Sequence, residues 1–185
     1  MWFSCNNFGK SENNFSEGGS GNSSPGTSPG VSLPQNHMKP ANILLVEDDD
    51  GDAELFSKAI NGTLTNKLVR VEDGESAINY LTENAENENL CPGLIFLDLN
   101  LPGTNGREVL KFIKQHSSLK HIPVIVLTTS ASNKDIEESY RNQAACFITK
   151  PLDFHDFASA IKSLRYVWLE VVSLPRIKAI DDLKS

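Results

Sequence analysis

Five short apolar segments, each followed by a stretch with helical spacing, constrain the fold of this chain more than any other feature. The segments occupy residues 43–46, 68–71, 94–97, 124–127 and 146–149. Short apolar runs rich in β-branched and aromatic residues, bounded by turn residues, are typical of buried strands in a parallel sheet. Strands that alternate with helical patterns indicate βαβ units. The sequence therefore predicts an α/β fold, a doubly wound five-stranded parallel sheet with five helices.

Charged residues stand where three of these segments end. Glu47 and Asp48 follow the first segment, Asp98 follows the third, and Lys150 follows the fifth. In open α/β sheets the ligand site lies just beyond the carboxyl ends of the strands, so the four groups are expected to share one pocket. Carboxylates brought so close repel one another, and binding a hard cation such as Mg²⁺ relieves that repulsion. Lys150 can pair with Asp98 or with a bound anion.

Composition limits the classes of function. The chain has 185 residues and a net charge of −7, which argues against direct binding to nucleic acid because phosphate contacts dominate that affinity. Its three cysteines (Cys5, Cys91 and Cys146) show no paired or metal-binding spacing, which favours reduced thiols in a cytosolic setting. No apolar stretch is long enough to span a bilayer. We expect a cytoplasmic protein with neither nucleic acid nor membrane as a partner.

The chain divides into three parts by composition. Residues 1–40 are rich in Ser, Asn and Gly, and such a segment cannot bury enough apolar surface to offset the entropy of ordering it. We predict a disordered leader there, with a flexible tether for a partner as the alternative. Residues 41–174 form the predicted domain, and residues 175–185 form a short tail.

The predicted pocket has the groups needed for phosphoryl transfer to a carboxylate. An aspartate oxygen can attack phosphorus and form an acyl phosphate, while a metal ion and a lysine neutralise the phosphoryl oxygens. Thr128, at the end of the fourth segment, can add a hydrogen bond to a phosphoryl oxygen.

Four short motifs at the strand ends resemble those of the receiver domain of response regulators. They are Leu-Val-Glu-Asp at 45–48, Leu-Asp-Leu-Asn-Leu-Pro at 97–102, Leu-Thr-Thr at 127–129 and Thr-Lys-Pro at 149–151. The resemblance covers roughly residues 41–174 and implies the flavodoxin-like strand order 2-1-3-4-5. It implies that Asp98 is phosphorylated and that Asp48 is a direct Mg²⁺ ligand, with Glu47 beside it often acting through water. The main-chain carbonyl of Asn100 is implied as a further ligand.

The same resemblance implies roles for three more residues. Lys150 matches the lysine that pairs with the phosphoryl group, Thr128 matches the switch hydroxyl, and Phe147 falls at the position of the switch aromatic residue. Phe147 is as consistent with core packing as with a switch. Two positions depart from the family pattern, since Thr129 stands where a smaller residue is usual and Asp49 adds another carboxylate.

Three further segments, at 130–136, 148–154 and 168–175, are similar to single-domain regulators paired with phytochrome-type histidine kinases. This similarity implies a sensor histidine kinase as a partner, of the phytochrome type. The output would then be association with a downstream protein, or transfer of the phosphoryl group to a phosphotransfer protein.

The last helix carries more apolar surface than one core requires. We predict that it starts near Asp153 and ends near Pro175. One stripe at helical spacing comprises Phe154, Phe157, Ile161, Leu164, Trp168 and Val171, and further apolar residues lie beside it. Surplus apolar surface often marks an interface, so we predict a homodimer contact. The residues predicted there are Trp168, Leu169 and Val172, with packing against the leader or the tail as the alternative.

The leading hypothesis is a two-component response regulator, a phosphoacceptor whose own chemistry is limited to self-phosphorylation and self-dephosphorylation. The alternative is a protein-interaction module that works without phosphorylation. A Mg²⁺-dependent phosphatase with an aspartate nucleophile would need an acid two residues after it, where this chain has Asn100.

Overall fold

The computed structural model of the protein describes residues 41–60 and 67–175. The strands are β1 (Ile43–Val46), β2 (Leu68–Val71), β3 (Leu94–Leu97), β4 (Val124–Thr128) and β5 (Cys146–Thr149). The α-helices are α1 (Asp50–Ile60), α2 (Gly74–Asn84), α3 (Gly106–Gln115), α4 (Asn133–Arg141) and α5 (Phe154–Arg165). A π-helical segment, Tyr166–Val171, continues directly from α5.

The five strands form one parallel sheet in the order β2-β1-β3-β4-β5. Alternate residues of each strand face opposite sides, so Leu44 and Val46 of β1 join one apolar cluster while Ile43 and Leu45 join the other. Helices cover both faces, which explains why β1, β3 and residues 124–127 of β4 are continuously apolar. This arrangement confirms the predicted fold class and strand order.

The parallel direction places every carboxyl end at the same edge of the sheet. At this edge α3 lies very close to the residues after β3. A Cβ atom on Gly106, the first residue of α3, would stand 2.0 Å from the carbonyl oxygen of Asp98. The Gly106 amide donates a hydrogen bond to the carbonyl of Leu99 at 3.1 Å. A glycine is required here because any side chain would push the helix away from Asp98.

Ser132 and Asp135 are three residues apart, a spacing that predicts a capping box at the start of α4, and the structure forms half of it. Ser132 caps α4, and its hydroxyl accepts a hydrogen bond from the Asp135 amide at 3.1 Å. In a full capping box the Asp135 carboxylate would also accept a hydrogen bond from the Ser132 main-chain amide. Instead this carboxylate accepts hydrogen bonds from Arg107 and Ser130. Because the charged Arg107 is close enough to bind the Asp135 carboxylate, this carboxylate does not bond to the Ser132 amide.

The last helix starts where predicted but ends early. Asp153 caps α5, yet the helical backbone stops at Val171 and Val172 is extended. The Val172 amide donates to the carbonyl of Val167 at 2.8 Å, which is the five-residue spacing of a π-helix. The predicted end near Pro175 is therefore wrong.

The predicted apolar stripe of this helix is only partly buried. Phe157, Ile161 and Leu164 lie in the core, whereas Phe154 and Val171 are exposed by 60% and 50%. The described residues do not include the predicted leader at 1–40 or residues 176–185 of the tail. They also do not include Asn61 and Gly62, an Asn-Gly pair that predicts the end of the first helix.

Candidate functional site

Three carboxylates meet at the carboxyl edge of the sheet. One oxygen each from Glu47, Asp48 and Asp98 lies within 4.8 Å of the others. Glu47 and Asp98 are buried, with 2% and 5% of their surface exposed, whereas Asp48 is exposed. The contact follows from the topology, because β1 and β3 are hydrogen-bonded neighbours that end side by side. The predicted convergence of these residues is observed.

Lys150 extends from the end of β5 into this cluster. Its ammonium nitrogen lies 2.6 Å from Glu47 Oε2 and 2.7 Å from Asp98 Oδ2. A third carboxylate, that of Asp52 in the first turn of α1, lies 2.9 Å away. Burial alone would lower the pKa of Lys150, but the hydrogen bonds that its ammonium group donates to Asp98, Glu47 and Asp52 outweigh burial and raise the pKa above its ordinary value. Lys150 is therefore a fixed positive charge.

The sequence did not point to Asp52 as a member of this site. The signal available for it was its position in the acidic run that opens α1, one turn after Asp48. Asp49, the extra carboxylate of that run, instead accepts a hydrogen bond from the Asp52 amide at 2.7 Å. It thus caps the start of α1 from an exposed position.

Burial raises the pKa of Glu47 to about 7, although the hydrogen bond and charge of Lys150 act in the opposite direction. The negative charges of Asp98 and Asp52 raise it further. A divalent cation beside Glu47 would favour the charged form again. Three acidic oxygens within a few ångströms are a hard-oxygen donor set, which fits Mg²⁺ or a similar divalent ion.

Asn100 connects the residues after β3 with those after β4. Its main-chain amide donates a hydrogen bond to Asp98 Oδ1 at 2.9 Å. Its side-chain nitrogen donates to the hydroxyl oxygens of Thr128, at 3.2 Å, and Thr129, at 3.1 Å. Thr128 is fully buried, and Thr129 is exposed. The structure therefore brings Thr128 and Asn100 to the acidic cluster.

A second network, which the sequence did not indicate, holds the loop between β4 and α4. Both Nε and Nη2 of Arg107 donate to Asp135 Oδ1, at 3.2 and 2.5 Å. The Ser130 hydroxyl donates to the other oxygen of this carboxylate. The bond from Ser130, followed by that from Arg107, lowers the pKa of Asp135 to about 2. Arg107 follows the Asn105 cap of α3, so the network ties α3 to α4.

The remaining predicted residues are apolar and do not belong to the acidic cluster. Phe147 is buried in the apolar cluster that also contains Leu97 and Val126. Trp168 and Leu169 are half-buried and pack against the other cluster. Val172 is also half-buried. The exposed apolar residues of the π-helical segment are Tyr166, Val167 and Val171.

Across the described residues, the structure contains no helix whose length and hydropathy would suit a membrane span.

A doubly wound parallel sheet with acidic residues and a lysine at its carboxyl edge defines a class of α/β domains that bind ligands at that edge. The model of the response regulator receiver domain matches residues 43–162. The chain therefore belongs to the response regulator receiver family, whose members act in two-component signal transduction.

Two relatives place the chain within the family. It is 42% identical to the response regulator Rcp1 of Synechocystis sp. over 138 residues, which are 74% of this chain and 94% of that protein. The crystal structure of the Mn²⁺-bound form of Rcp1 superimposes with a TM-score of 0.69 and covers 74% of this chain and 99% of that one. The structure of the phosphorylated cyanobacterial phytochrome response regulator RcpA, 41% identical, gives the same TM-score and the same coverage of both chains.

Proposed function

We propose that this protein is a Mg²⁺-dependent phosphoacceptor switch in which Asp98 accepts a phosphoryl group from a histidine kinase. One observation carries the proposal: the Lys150 ammonium group lies 2.7 Å from the buried Asp98 carboxylate, and one oxygen each of Asp98, Glu47 and Asp48 lies within 4.8 Å of the others. Asp98 therefore contacts one cation, Lys150, and also belongs to a set of acidic oxygens that can bind a second cation.

The transfer step requires little from the protein beyond position and charge. An oxygen of Asp98 attacks phosphorus and forms the P–O bond of an acyl phosphate, while the P–N bond of a phosphohistidine breaks and its electron pair returns to the imidazole. Lys150 and the Thr128 hydroxyl would then stabilise phosphoryl oxygens. Thr128 is already within hydrogen-bonding distance of Asn100, which touches Asp98.

Glu47, Asp48, Asp98 and the main-chain carbonyl of Asn100 would hold the metal ion. When bound, Mg²⁺ neutralises negative charge on the phosphoryl oxygens. The Mn²⁺-bound form of the related Rcp1 supports a divalent site in this family. The raised pKa of Glu47 supports it from the chain itself, because this buried acid gains a compensating charge when a cation binds.

The output would pass through Thr128 and Phe147. Both are buried, on β4 and on the neighbouring strand β5. A hydrogen bond from Thr128 to a new phosphoryl group would draw the end of β4 inward and change the space available to Phe147. We expect this movement to control binding of a downstream protein, or onward transfer to a phosphotransfer protein.

The proposed setting is a cytoplasmic two-component system with a sensor histidine kinase of the phytochrome type. The similarity to RcpA, a cyanobacterial phytochrome response regulator, supports this partner. Residues 41–174 would act as the receiver domain, with residues 1–40 as a leader and residues 175–185 as a tail.

The test is the intact mass of the protein after incubation with Mg²⁺ and acetyl phosphate. We expect the unmodified chain to gain one phosphoryl group and Asp98→Asn to gain none. Asp48→Asn should react poorly at the same Mg²⁺ concentration, whereas Asp73→Asn should react normally, because Asp73 caps α2 and is not a member of the acidic cluster. The phosphorylation-independent interaction module would be favoured by a different result. In that case the unmodified chain stays unphosphorylated, and it binds a partner as tightly as Asp98→Asn does.

We also propose that the last helix mediates homodimer formation through its π-helical segment, Tyr166–Val171, and the residue that follows it. The residues predicted from the sequence, Trp168, Leu169 and Val172, are half-buried. Because Trp168 and Leu169 pack against the protein's own core, the exposed residues Val167 and Val171 are better probes of the interface.

Sedimentation of Val167→Glu with Val171→Glu tests the dimer. We expect this double variant to sediment as a monomer where the unmodified chain sediments as a dimer. The exposed Lys162→Glu, on the preceding helix, is the control for added negative charge. Identical sedimentation of the double variant and the unmodified chain would exclude this surface.

A further inference from the structure

Arg70 reaches from the edge strand β2 to the loop that follows β1. In the sheet Arg70 pairs with Leu45, and Leu45 precedes Glu47 by two residues. Its Nε donates to the carbonyl oxygen of Glu47 at 3.0 Å, and its Nη2 donates to the carbonyl oxygen of Asp48 at 3.2 Å. These carbonyls belong to two residues whose side chains join the acidic cluster.

A third contact connects Arg70 to the start of α1. The Nη1 atom of Arg70 lies 2.7 Å from Asp50 Oδ1, in the first residue of the helix. The guanidinium group is planar and holds its N–H donors in a rigid fork. One side chain therefore fixes the main chain from the end of β1 to the beginning of α1.

Arg70 makes no close ion pair with the candidate metal ligands. Among the described residues, the carboxylates within 4.0 Å of its nitrogens are those of Asp50 and, at 3.8 Å, Glu72. Lys150, in contrast, touches the carboxylates of Glu47 and Asp98 directly. Arg70 thus holds the backbone that carries the ligands and leaves their oxygens available.

We propose that Arg70 is a positioning residue for the metal site: it holds the main chain of Glu47 and Asp48 so that their carboxylates point at one ion. This inference rests on the proposed Mg²⁺ site. Without Arg70 the loop would have to be ordered when the metal binds, and affinity would fall.

The direction of the effect separates this role from simple electrostatics. A positive charge near the site repels Mg²⁺, so loss of a merely repelling arginine would strengthen metal binding. Loss of a positioning arginine weakens it, even though the site becomes more negative. The two explanations predict opposite signs for the same substitution.

Calorimetric titration of the full chain with MgCl₂ measures this sign. We expect Arg70→Ala to bind Mg²⁺ roughly tenfold more weakly than the unmodified protein. Arg70→Lys should also bind more weakly, because an ammonium group keeps the charge but cannot span both carbonyls. Lys58→Ala removes an exposed cation of α1 that pairs with Glu54, and should leave the affinity unchanged.

Arg70→Ala that binds Mg²⁺ as tightly as the unmodified protein, or more tightly, would overturn the inference. Thermal unfolding in EDTA shows whether each variant is folded. If Arg70→Ala is not folded, the Mg²⁺ affinity of Arg70→Lys is the test. An affinity of Arg70→Lys equal to that of the unmodified protein would overturn the positioning role. An unmodified chain without saturable Mg²⁺ binding would remove the proposed metal site itself, whereas normal binding with unaffected variants removes only the role of Arg70.

Discussion

The loops that follow β1 and β4 are each held by an arginine from a neighbouring element, but the two arginines bind different groups. Arg70 donates to two main-chain carbonyls and to Asp50. Arg107 donates twice to one oxygen of a single carboxylate, Asp135. The first loop is thus fixed through its backbone, and the second through side chains that a rotamer change could release.

This difference matches the work proposed for each side of the site. The loop after β1 carries candidate metal ligands, which must stay at fixed separations to bind an ion tightly. Thr128 is the last residue of β4 and Ser130 lies in the loop that follows it, and Thr128 must move if it is to contact a new phosphoryl group. Attachment through Ser130 and Arg107 to one carboxylate permits that movement, because side-chain hydrogen bonds can exchange without unfolding the loop.

The largest effect is expected from Lys150→Met, which removes the ammonium group that contacts Glu47 after β1 and Asp98 after β3. Loss of the buried ammonium leaves Glu47 and Asp98 together without a cation, which should lower the free energy of unfolding by about 3–5 kcal/mol. Urea denaturation at pH 7 without metal measures this loss, and adding Mg²⁺ should recover part of it. Lys58→Met, which removes an exposed ion pair, should change stability by less than about 1 kcal/mol. Equal losses in the two variants would contradict the strong coupling seen at Lys150.

An intermediate effect is expected on the β4 side, from Arg107→Ala. The Asp135 carboxylate would lose its charged partner while remaining largely buried, at a cost of about 1–3 kcal/mol in the free energy of unfolding. Because Arg107 does not hold the candidate ligands, the affinity for Mg²⁺ should stay within about twofold of the unmodified protein. Parallel urea and MgCl₂ titrations compare this variant with Arg70→Ala. A tenfold loss of Mg²⁺ affinity in Arg107→Ala would erase the distinction between the two loops.

The smallest effect is a pH dependence that originates at Asp135. The pKa of Asp135 is lowered from 3.8 to about 2 in the folded protein, which means that the charged carboxylate stabilises the folded state. The resulting stabilisation is complete above about pH 4 and is lost as the pH falls through about 2. Between these values the unmodified protein should lose about 1 kcal/mol more stability than Asp135→Asn. Superimposable stability curves for the two proteins from pH 4 to 2 would assign the acid sensitivity elsewhere.

Much of the fold and the centre of the site follow from the sequence. The apolar segments predict the strands, and the parallel sheet then brings Glu47, Asp98 and Lys150 to one edge whatever their side chains do. The capping pattern at Ser132 predicts the start of α4 correctly, because N-caps depend on neighbouring residues.

The parts that the sequence did not predict depend on contacts between distant segments. Arg70 reaches its carbonyls only because β2 pairs with β1 in a particular register. Asp135 bonds to Arg107, 28 residues away, in place of the nearby amide that its local pattern suggested. The end of the last helix was missed because apolar spacing does not reveal a change to five-residue hydrogen bonding.

The contacts of Lys150 also set a condition on any anion that arrives at Asp98. An ammonium group has three N–H bonds, and those of Lys150 match three carboxylates one for one. An incoming phosphoryl oxygen must therefore displace an acid from the lysine before it can be bound. Asp52 is the partner most open to water, with 35% of its side chain exposed, and is the one whose departure leaves the least charge unsolvated.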